Sequence, residues 1–472
     1  MKSKFLKVIV IVMAVVMVAT FAACTPEIIY YLDATEGGNV GGTLNGGGNN
    51  GSGNNAGTGT GTSSGTNSGT NSGTTPAVVE DGTGDGSTYD LRVWCAEEDV
   101  DMIWEMLCAY ADKYKDNTYN WTVERQAEDL VASSVLRDVE AAADVFSFAN
   151  DQLGNLLNQN ALIEIPTACT PQIDNQIDMA RVAAQYNGSY YAIPYSYENC
   201  FLYYNKSLVS AEQVASMDSL LNASIAGVTF NLGIDMADSY YTTMFLYTAG
   251  VEIFGAQGND PSSVDLANDY AVKACDYIAS LNGKNKLGSI AKADQYAALK
   301  NSKVAAMISG PHMISQFKDA LGANFGVAML PTIRFAGDTK DSQLVSFSGV
   351  KMYGVSRKST DVRSQKTTNE ALKLAAYLAN SDNQQKRLDE REFCPTDEEL
   401  FETAVESGID TVEVVVAQSE YSKLKPGLIE MSNYWENMAT FLLGVYKLSY
   451  KKGNNGDDWK AELRKIEDKL KK

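Results

Sequence analysis

Leu91-Arg92-Val93-Trp94-Cys95 is a short apolar strand, and the alternation that begins with it decides the fold. Val100, Ile103, Trp104, Leu107 and Ala111 recur at helical spacing, so residues 99–113 are expected to form an amphipathic helix. Residues 120–124 alternate as a strand and 130–141 return to helix. Val145-Phe146-Ser147-Phe148 is strand-like again, leading into a helical turn that Asn150 or Asp151 can cap. Downstream, strands are expected at 190–193, 202–204, 304–308, 325–330 and 351–355, and helices at 241–248, 264–281, 370–380, 424–431 and 434–450. Strands alternating with helices imply an α/β protein with mostly parallel sheets covered on both faces.

The whole chain narrows the function classes. Its 472 residues carry 39 basic and 59 acidic side chains, seven cysteines and one histidine. The 44% hydrophobic fraction is that of a globular protein with a sizeable core. A net charge of −20 argues against a nucleic-acid partner, whose binding needs cations to displace counterions. With only His312, multi-histidine metal sites are excluded, and no cysteine pair has metal-ligand spacing. No phosphate-binding glycine loop is present, so neither a metal nor a cofactor is expected. Cys95, Cys108, Cys169, Cys200, Cys275 and Cys394 are expected to remain free thiols in a domain large enough not to need stapling. What is left is an acidic, aromatic-rich protein with 25 tyrosines, suited to a polar, neutral ligand.

The N-terminus has a different character. Lys2, Lys4 and Lys7 precede an uncharged run over 8–21, too short to span a membrane but suited to a secretory signal. Phe21-Ala22-Ala23-Cys24 resembles a bacterial lipoprotein processing site, which implies cleavage after residue 23 and a lipid anchor on Cys24. Residues 37–73 hold no charge and 15 of the 38 glycines, so 24–87 is expected to be a disordered Gly/Ser/Thr/Asn tether. A random coil of that length spans on the order of 40 Å. At the other end, Trp459, Leu463, Ile466 and Leu470 share one helical face, expected to dock on the chain's own domain.

Four stretches carry a resemblance. They are Arg92-Val93-Trp94-Cys95-Ala96-Glu97-Glu98-Asp99-Val100, then Ala143-Asp144-Val145-Phe146-Ser147-Phe148-Ala149-Asn150-Asp151-Gln152-Leu153-Gly154. Tyr190-Tyr191-Ala192-Ile193-Pro194-Tyr195-Ser196-Tyr197-Glu198 with Tyr203-Tyr204-Asn205-Lys206 is the third, and Ser309-Gly310-Pro311-His312 comes last. In this order they resemble the extracellular solute-binding proteins of ABC sugar importers, in particular the maltose/maltodextrin-binding branch. The resemblance implies a two-lobed, periplasmic-binding-protein-like (type II) α/β fold with an interlobe hinge and discontinuous lobes. It places the solute-binding domain at 88–472, with lobe 1 near 88–196 and 348–378 and lobe 2 near 197–347 and 379–472. Crossings are expected near residues 195–201, 347–353 and 377–382.

By position, the family's ligand-binding carboxylates map onto Glu98, Glu124, Asp151 and Glu198, and its stacking aromatics onto Phe148, Tyr240 and Trp435. That chemistry suits a sugar. Carboxylates accept charge-assisted hydrogen bonds from hydroxyls, while aromatic faces cover C–H patches. Four positions depart from the pattern: His312 and Phe148 stand where tryptophan is usual, and Asp99 and Gln152 where the family has basic residues. The changes leave a sugar as ligand and put maltose itself in question. The resemblance therefore implies a monomeric, non-enzymatic lipoprotein on the extracellular face of the membrane. It would capture an oligosaccharide, of α-glucan type, for a membrane permease. Another sugar class or small solute on the same fold, or a surface glycoside hydrolase using two of the carboxylates, are the alternatives.

Overall fold

The computed structural model describes residues 84–284, 286–406, 408–450 and 456–471. The expected leader, Cys24 and the expected tether up to residue 83 lie outside the described residues, while 84–87, assigned to the tether by the sequence, are described and tied to the domain by an Asp85–Lys366 ion pair and by Asp85 N–H donating to Asn117. Two sheets organise the fold. Their strands are β1 (Thr88–Cys95), β2 (Thr118–Arg125), β3 (Val145–Ala149), β4 (Ile193–Asn199), β5 (Phe201–Asn205) and β6 (Phe230–Ile234). They continue with β7 (Leu287–Ser289), β8 (Val304–Ser309), β9 (Phe325–Ala328), β10 (Ser346–Val355) and β11 (Ser422–Leu424). The first sheet runs β11-β10-β3-β1-β2, with β4 also paired to β10; the second runs β9-β5-β8-β6-β7.

The opening strand behaves as its alternation requires. Tyr89, Leu91, Val93 and Cys95 point into the core, and β2 pairs with β1 in parallel from Thr88↔Thr118 to Cys95↔Arg125. Helix α1 (Val100–Lys113) covers that face with Met102, Ile103, Met106, Leu107 and Tyr110, all buried. The five residues of β3 are all buried, as befits a strand covered on both faces.

Lobe crossings explain why the sheets are mixed rather than mostly parallel. β4 belongs to the first sheet, and after Cys200 the chain enters the second sheet as β5. β10 returns with all ten residues buried and runs antiparallel to both β3 and β4. β5 likewise runs antiparallel to β8 and β9. A strand arriving from the other lobe enters its sheet from the opposite end, so it opposes the resident βα strands. One core fills lobe 2 (Leu232, Phe245, Ile278, Leu442) and another lies beneath α1 in lobe 1. A third is continuous across the hinge, joining Phe146, Phe148 and Met352 to Tyr203, Met307 and Phe317.

The C-terminal third departs most from expectation. No helix forms over 424–431: β11 pairs in parallel with β10 through Phe347↔Lys423, and helix α2 (Met431–Tyr446) begins only after Pro426-Gly427. β11 thus sits on the lobe 1 sheet although it lies within 379–472, and the chain re-enters lobe 2 with α2, whose Met431 and Tyr434 are in the lobe 2 core. A helix at Ser381–Arg391 had no hydrophobic period to announce it, because its buried face is Asn383, Gln384, Arg387 and Leu388. The last helix, Gly456–Leu470, buries Trp459, Leu463, Ile466 and Leu470 in the lobe 2 core, as its stripe predicts. Cys95, Cys169, Cys200, Cys275 and Cys394 are buried free thiols. Among the described residues no helix is long and apolar enough to cross a membrane.

Candidate ligand-binding cleft

Functional side chains gather where strands end and the lobes meet, the usual position for ligand sites on open α/β sheets. From lobe 1 come the single turn Glu97–Asp99 after β1 and the turn Asn150–Gln152 after β3. The crossing segments supply Glu198 on β4, Lys351 on β10 and Lys425 just after β11. Lobe 2 supplies His312 in the turn Pro311–Met313 after β8, Tyr240 on the helix Ser239–Ala249, and Trp435 on α2. Asn150 ties these parts together: its Nδ2 donates to the Lys425 carbonyl at 2.7 Å and its Oδ1 accepts from Val350 N–H at 3.1 Å.

Charges alternate along the crossing segments. Glu128 Oε2 lies 3.0 Å from Lys351 Nζ, which is 3.7 Å from Glu198 Oε2. Glu198 Oε1 is 3.9 Å from Lys425 Nζ, which stands 3.1 Å from Asp151 Oδ1. Both lysine side chains are nearly inaccessible, 4% and 7% exposed. Burial by itself disfavours each ammonium, but Glu128 and Glu198 around Lys351, and Asp151 and Glu198 around Lys425, hold both above the ordinary lysine value. Burial would raise the Glu198 carboxyl, yet Lys351 and Lys425 together pull it below the ordinary glutamate range. Glu128 moves the other way, raised by burial despite Lys351. Such alternation is what keeps buried charges ionised.

Aromatic rings frame these charges. Tyr240 stacks on Phe347 (centroids 6.2 Å apart, planes 13° apart), Trp435 meets Phe347 edge-on at 5.4 Å, and Lys425 Nζ is 5.6 Å from the Tyr240 centroid. Ser239 Oγ donates to the Trp435 carbonyl at 2.8 Å, fixing one helix against the other. On the lobe 1 side, Phe393 lies between Lys351 Nζ at 4.7 Å and the Arg391 guanidinium at 5.0 Å. His312 buries Nε2 with no hydrogen-bond partner among the described residues. Burial, with help from Lys292 and Lys351, pushes its pKa down to about 3, so the ring is neutral at physiological pH.

The structure therefore brings Asp151, Glu198, Tyr240 and Trp435 around one group of crossing segments, with His312 within electrostatic reach of Glu198. It places three other candidates differently. Glu98 is half-exposed beside Arg391, whose guanidinium is 3.9 Å from its carboxylate and also pairs with buried Asp99. Glu124 accepts from Trp94 Nε1 at 2.6 Å and lies 3.6 Å from Arg92, an engagement within the first sheet. Phe148 is fully buried in the core that crosses the hinge, between Phe146 and the strand carrying Gly354. At Gln152, where the family has arginine, the amide donates to the Glu128 carbonyl at 2.5 Å and accepts from Ala132 N–H at 2.8 Å. It shapes the turn that carries Glu128.

Lys351, Lys425, Glu128 and Arg391 escaped the sequence reading. A signal existed for one of them: Lys351 is the sole charge in Ser346–Val355, and a lysine inside an otherwise apolar strand demands an anionic partner. Among the described residues no group of His, Cys, Asp and Glu is arranged to hold a metal ion.

Known proteins share much of this sequence and architecture. The family model described as bacterial extracellular solute-binding protein matches residues 109–407. The galactooligosaccharide-binding protein of Bacillus subtilis is 25% identical over 360 residues, covering 73% of this chain and 82% of its own. A maltooligosaccharide ABC transporter solute-binding lipoprotein of Streptococcus pneumoniae is 25% identical over 315 residues, covering 63% and 70%. Among solved structures, maltodextrin binding protein MalE1 from L. casei superposes with a TM-score of 0.71 at 24% identity, over 82% of this chain and 99% of that one. Another, solved with acarbose, gives 0.72 at 26% identity, over 81% and 98%. Two lobes joined by crossing strands, and the span of the family match, lead to one assignment: the chain belongs to the bacterial extracellular solute-binding proteins.

Proposed function

We propose that this protein captures an oligosaccharide between its lobes and hands it to the membrane subunits of an ABC importer, held at the cell surface by a lipid on Cys24. Residues 24–87 serve as the tether and 88–472 as the solute-binding domain in this reading. The observation that carries it is Glu198. Its carboxylate sits on β4 just before the chain crosses between lobes, 3.9 Å from the Lys425 ammonium, which also meets Asp151 of lobe 1 at 3.1 Å and lies 5.6 Å from the Tyr240 ring of lobe 2. Carboxylates accept from sugar hydroxyls and aromatic faces cover sugar C–H surfaces, so a ligand touching both lobes favours closure. No covalent step is assigned; the acids bind.

The ligand is an α-glucan of the maltodextrin type. Support comes from a relative named for maltooligosaccharide and a neighbour solved with acarbose, while another relative is named for galactooligosaccharide. Neutral His312 offers one donor and one acceptor to a hydroxyl where the family pattern offers an indole face. A thermal-shift panel of maltose, maltotriose, maltotetraose and galactooligosaccharides tests the reading: α-glucans should raise Tm, and galactooligosaccharides should not. A shift with galactooligosaccharides alone would transfer the assignment to that class. Labelling expressing cells with radioactive palmitate tests the anchor: label should appear on the wild type and be lost in Cys24→Ala.

A further inference from the structure

Two buried ammonium groups flank one carboxylate that accepts a hydrogen bond from neither. Lys351 Nζ and Lys425 Nζ approach Glu198 to 3.7 and 3.9 Å, inside ion-pair range but beyond direct hydrogen-bond reach. Each ammonium carries three donors, and each has one carboxylate at direct distance: Glu128 at 3.0 Å for Lys351 and Asp151 at 3.1 Å for Lys425. Donor capacity is therefore left over beside an acceptor with open lone pairs. The backbone is built around this spacing. A Cβ on Gly349 would stand 2.7 Å from Lys425 Cε, 2.9 Å from its Nζ and 3.3 Å from Glu198 Oε1. Only glycine in β10 lets the ammonium and the carboxylate lie where they do.

We infer that Lys351 and Lys425 are ligand-binding residues, each donating to a hydroxyl oxygen of the bound sugar while the same hydroxyl donates to Glu198. A hydroxyl accepts and donates at once, so one sugar oxygen satisfies an ammonium and a carboxylate too far apart to bond directly. Two lysines on either side of one carboxylate place two such hydroxyls on the two Glu198 oxygens, the arrangement of a vicinal diol. The arrangement selects a neutral sugar. An acidic sugar could accept from the lysines but would oppose Glu128, Glu198 and Asp151, and an aminosugar cation would oppose both ammoniums. The inference rests on the proposed sugar-binding reading and adds to it the residues that fix the diol.

Calorimetric titration of the purified full-length protein with maltotriose, maltotetraose and galactooligosaccharides separates the two. Wild type binding one of these sugars upholds the sugar reading. Lys351→Met and Lys425→Met should then each weaken that sugar by roughly ten- to hundredfold, the worth of a charge-assisted hydrogen bond. Pairing either with Glu198→Gln should cost less than the sum of the single losses, because both act on one hydroxyl. Gly349→Ala, which displaces the Lys425 ammonium while every charge is kept, should reproduce the Lys425→Met loss. Lysine variants and Gly349→Ala that bind within about threefold of wild type overturn the inference and leave the sugar reading standing. A wild type that binds none of the sugars overturns both.

Discussion

His312 gives the protein a specific acid sensitivity. His312 is half-buried, its Nε2 is enclosed with no protein partner among the described residues, and Lys292, Lys351 and Arg391 add repulsion that Glu198 only partly offsets. The folded-state pKa falls from 6.5 to about 3. A depressed pKa means the unfolded chain binds the proton more readily. The stabilising contribution is thus complete above pH 6.5 and drains away as pH falls toward the folded value near 3. At about 1.36 kcal/mol per unit, a fall to pH 5 removes about 2 kcal/mol through this one ring. His312→Gln keeps hydrogen-bonding capacity without titrating there, so it should abolish that increment. Urea denaturation of wild type and variant at pH 7.5 and 5.0, with m-values compared, measures the difference. Wild type should lose about 2 kcal/mol more than the variant on acidification. Equal losses would show that the imidazole is solvated, and the buried geometry of the Pro311–Met313 turn would be wrong.

Other consequences are structural and functional. Asp144 is 3.0 Å from both Lys358 Nζ and the Arg363 guanidinium and accepts from Arg92 N–H at 2.8 Å, so Asp144→Ala strands two buried cations. A loss of about 3–5 kcal/mol in chemical denaturation is expected. Trp459→Ala empties a fully buried indole site where the last helix meets the lobe 2 core and should cost about 3–5 kcal/mol by the same assay. Lys318 pairs with Glu392, the C-cap residue of the helix Ser381–Arg391. Both side chains are partly exposed, at 42% and 23%, so Lys318→Met should change stability by less than about 1 kcal/mol.

How much of this was legible depends on what each element shows to the core. β1 and α1 announced themselves because one side of each is apolar at the right period, and the Trp459–Leu470 stripe did the same. The crossing strand β10 was legible only over its last half, since Ser346, Ser348 and Gly349 carry no hydrophobic signal although all are buried. β11 is three residues long, too short for any period, and the helix Ser381–Arg391 buries mainly amides and Arg387. In the cleft, Asp151 and Glu198 stood out by their motifs. Their lysine partners did not, because Lys351 and Lys425 are distant in sequence from the acids they meet and are joined to them only by the fold. Phe148 also stood out by its motif, and the fold places it on a strand buried on both faces. Glu124 shares a register pair with Trp94 on β1, which claims its carboxylate within the sheet.

The central claim is that a sugar binds on the crossing segments between the lobes, against Glu198 and Trp435. Isothermal titration of the purified protein with maltotriose, run beside Glu198→Ala and Trp435→Ala, measures it directly. Saturable binding at one site per chain is expected, weakened by more than about 1 kcal/mol in each variant, as for buried anchors of an interface. Maltotriose binding that is unchanged in both variants would place the sugar elsewhere on the protein and contradict the account.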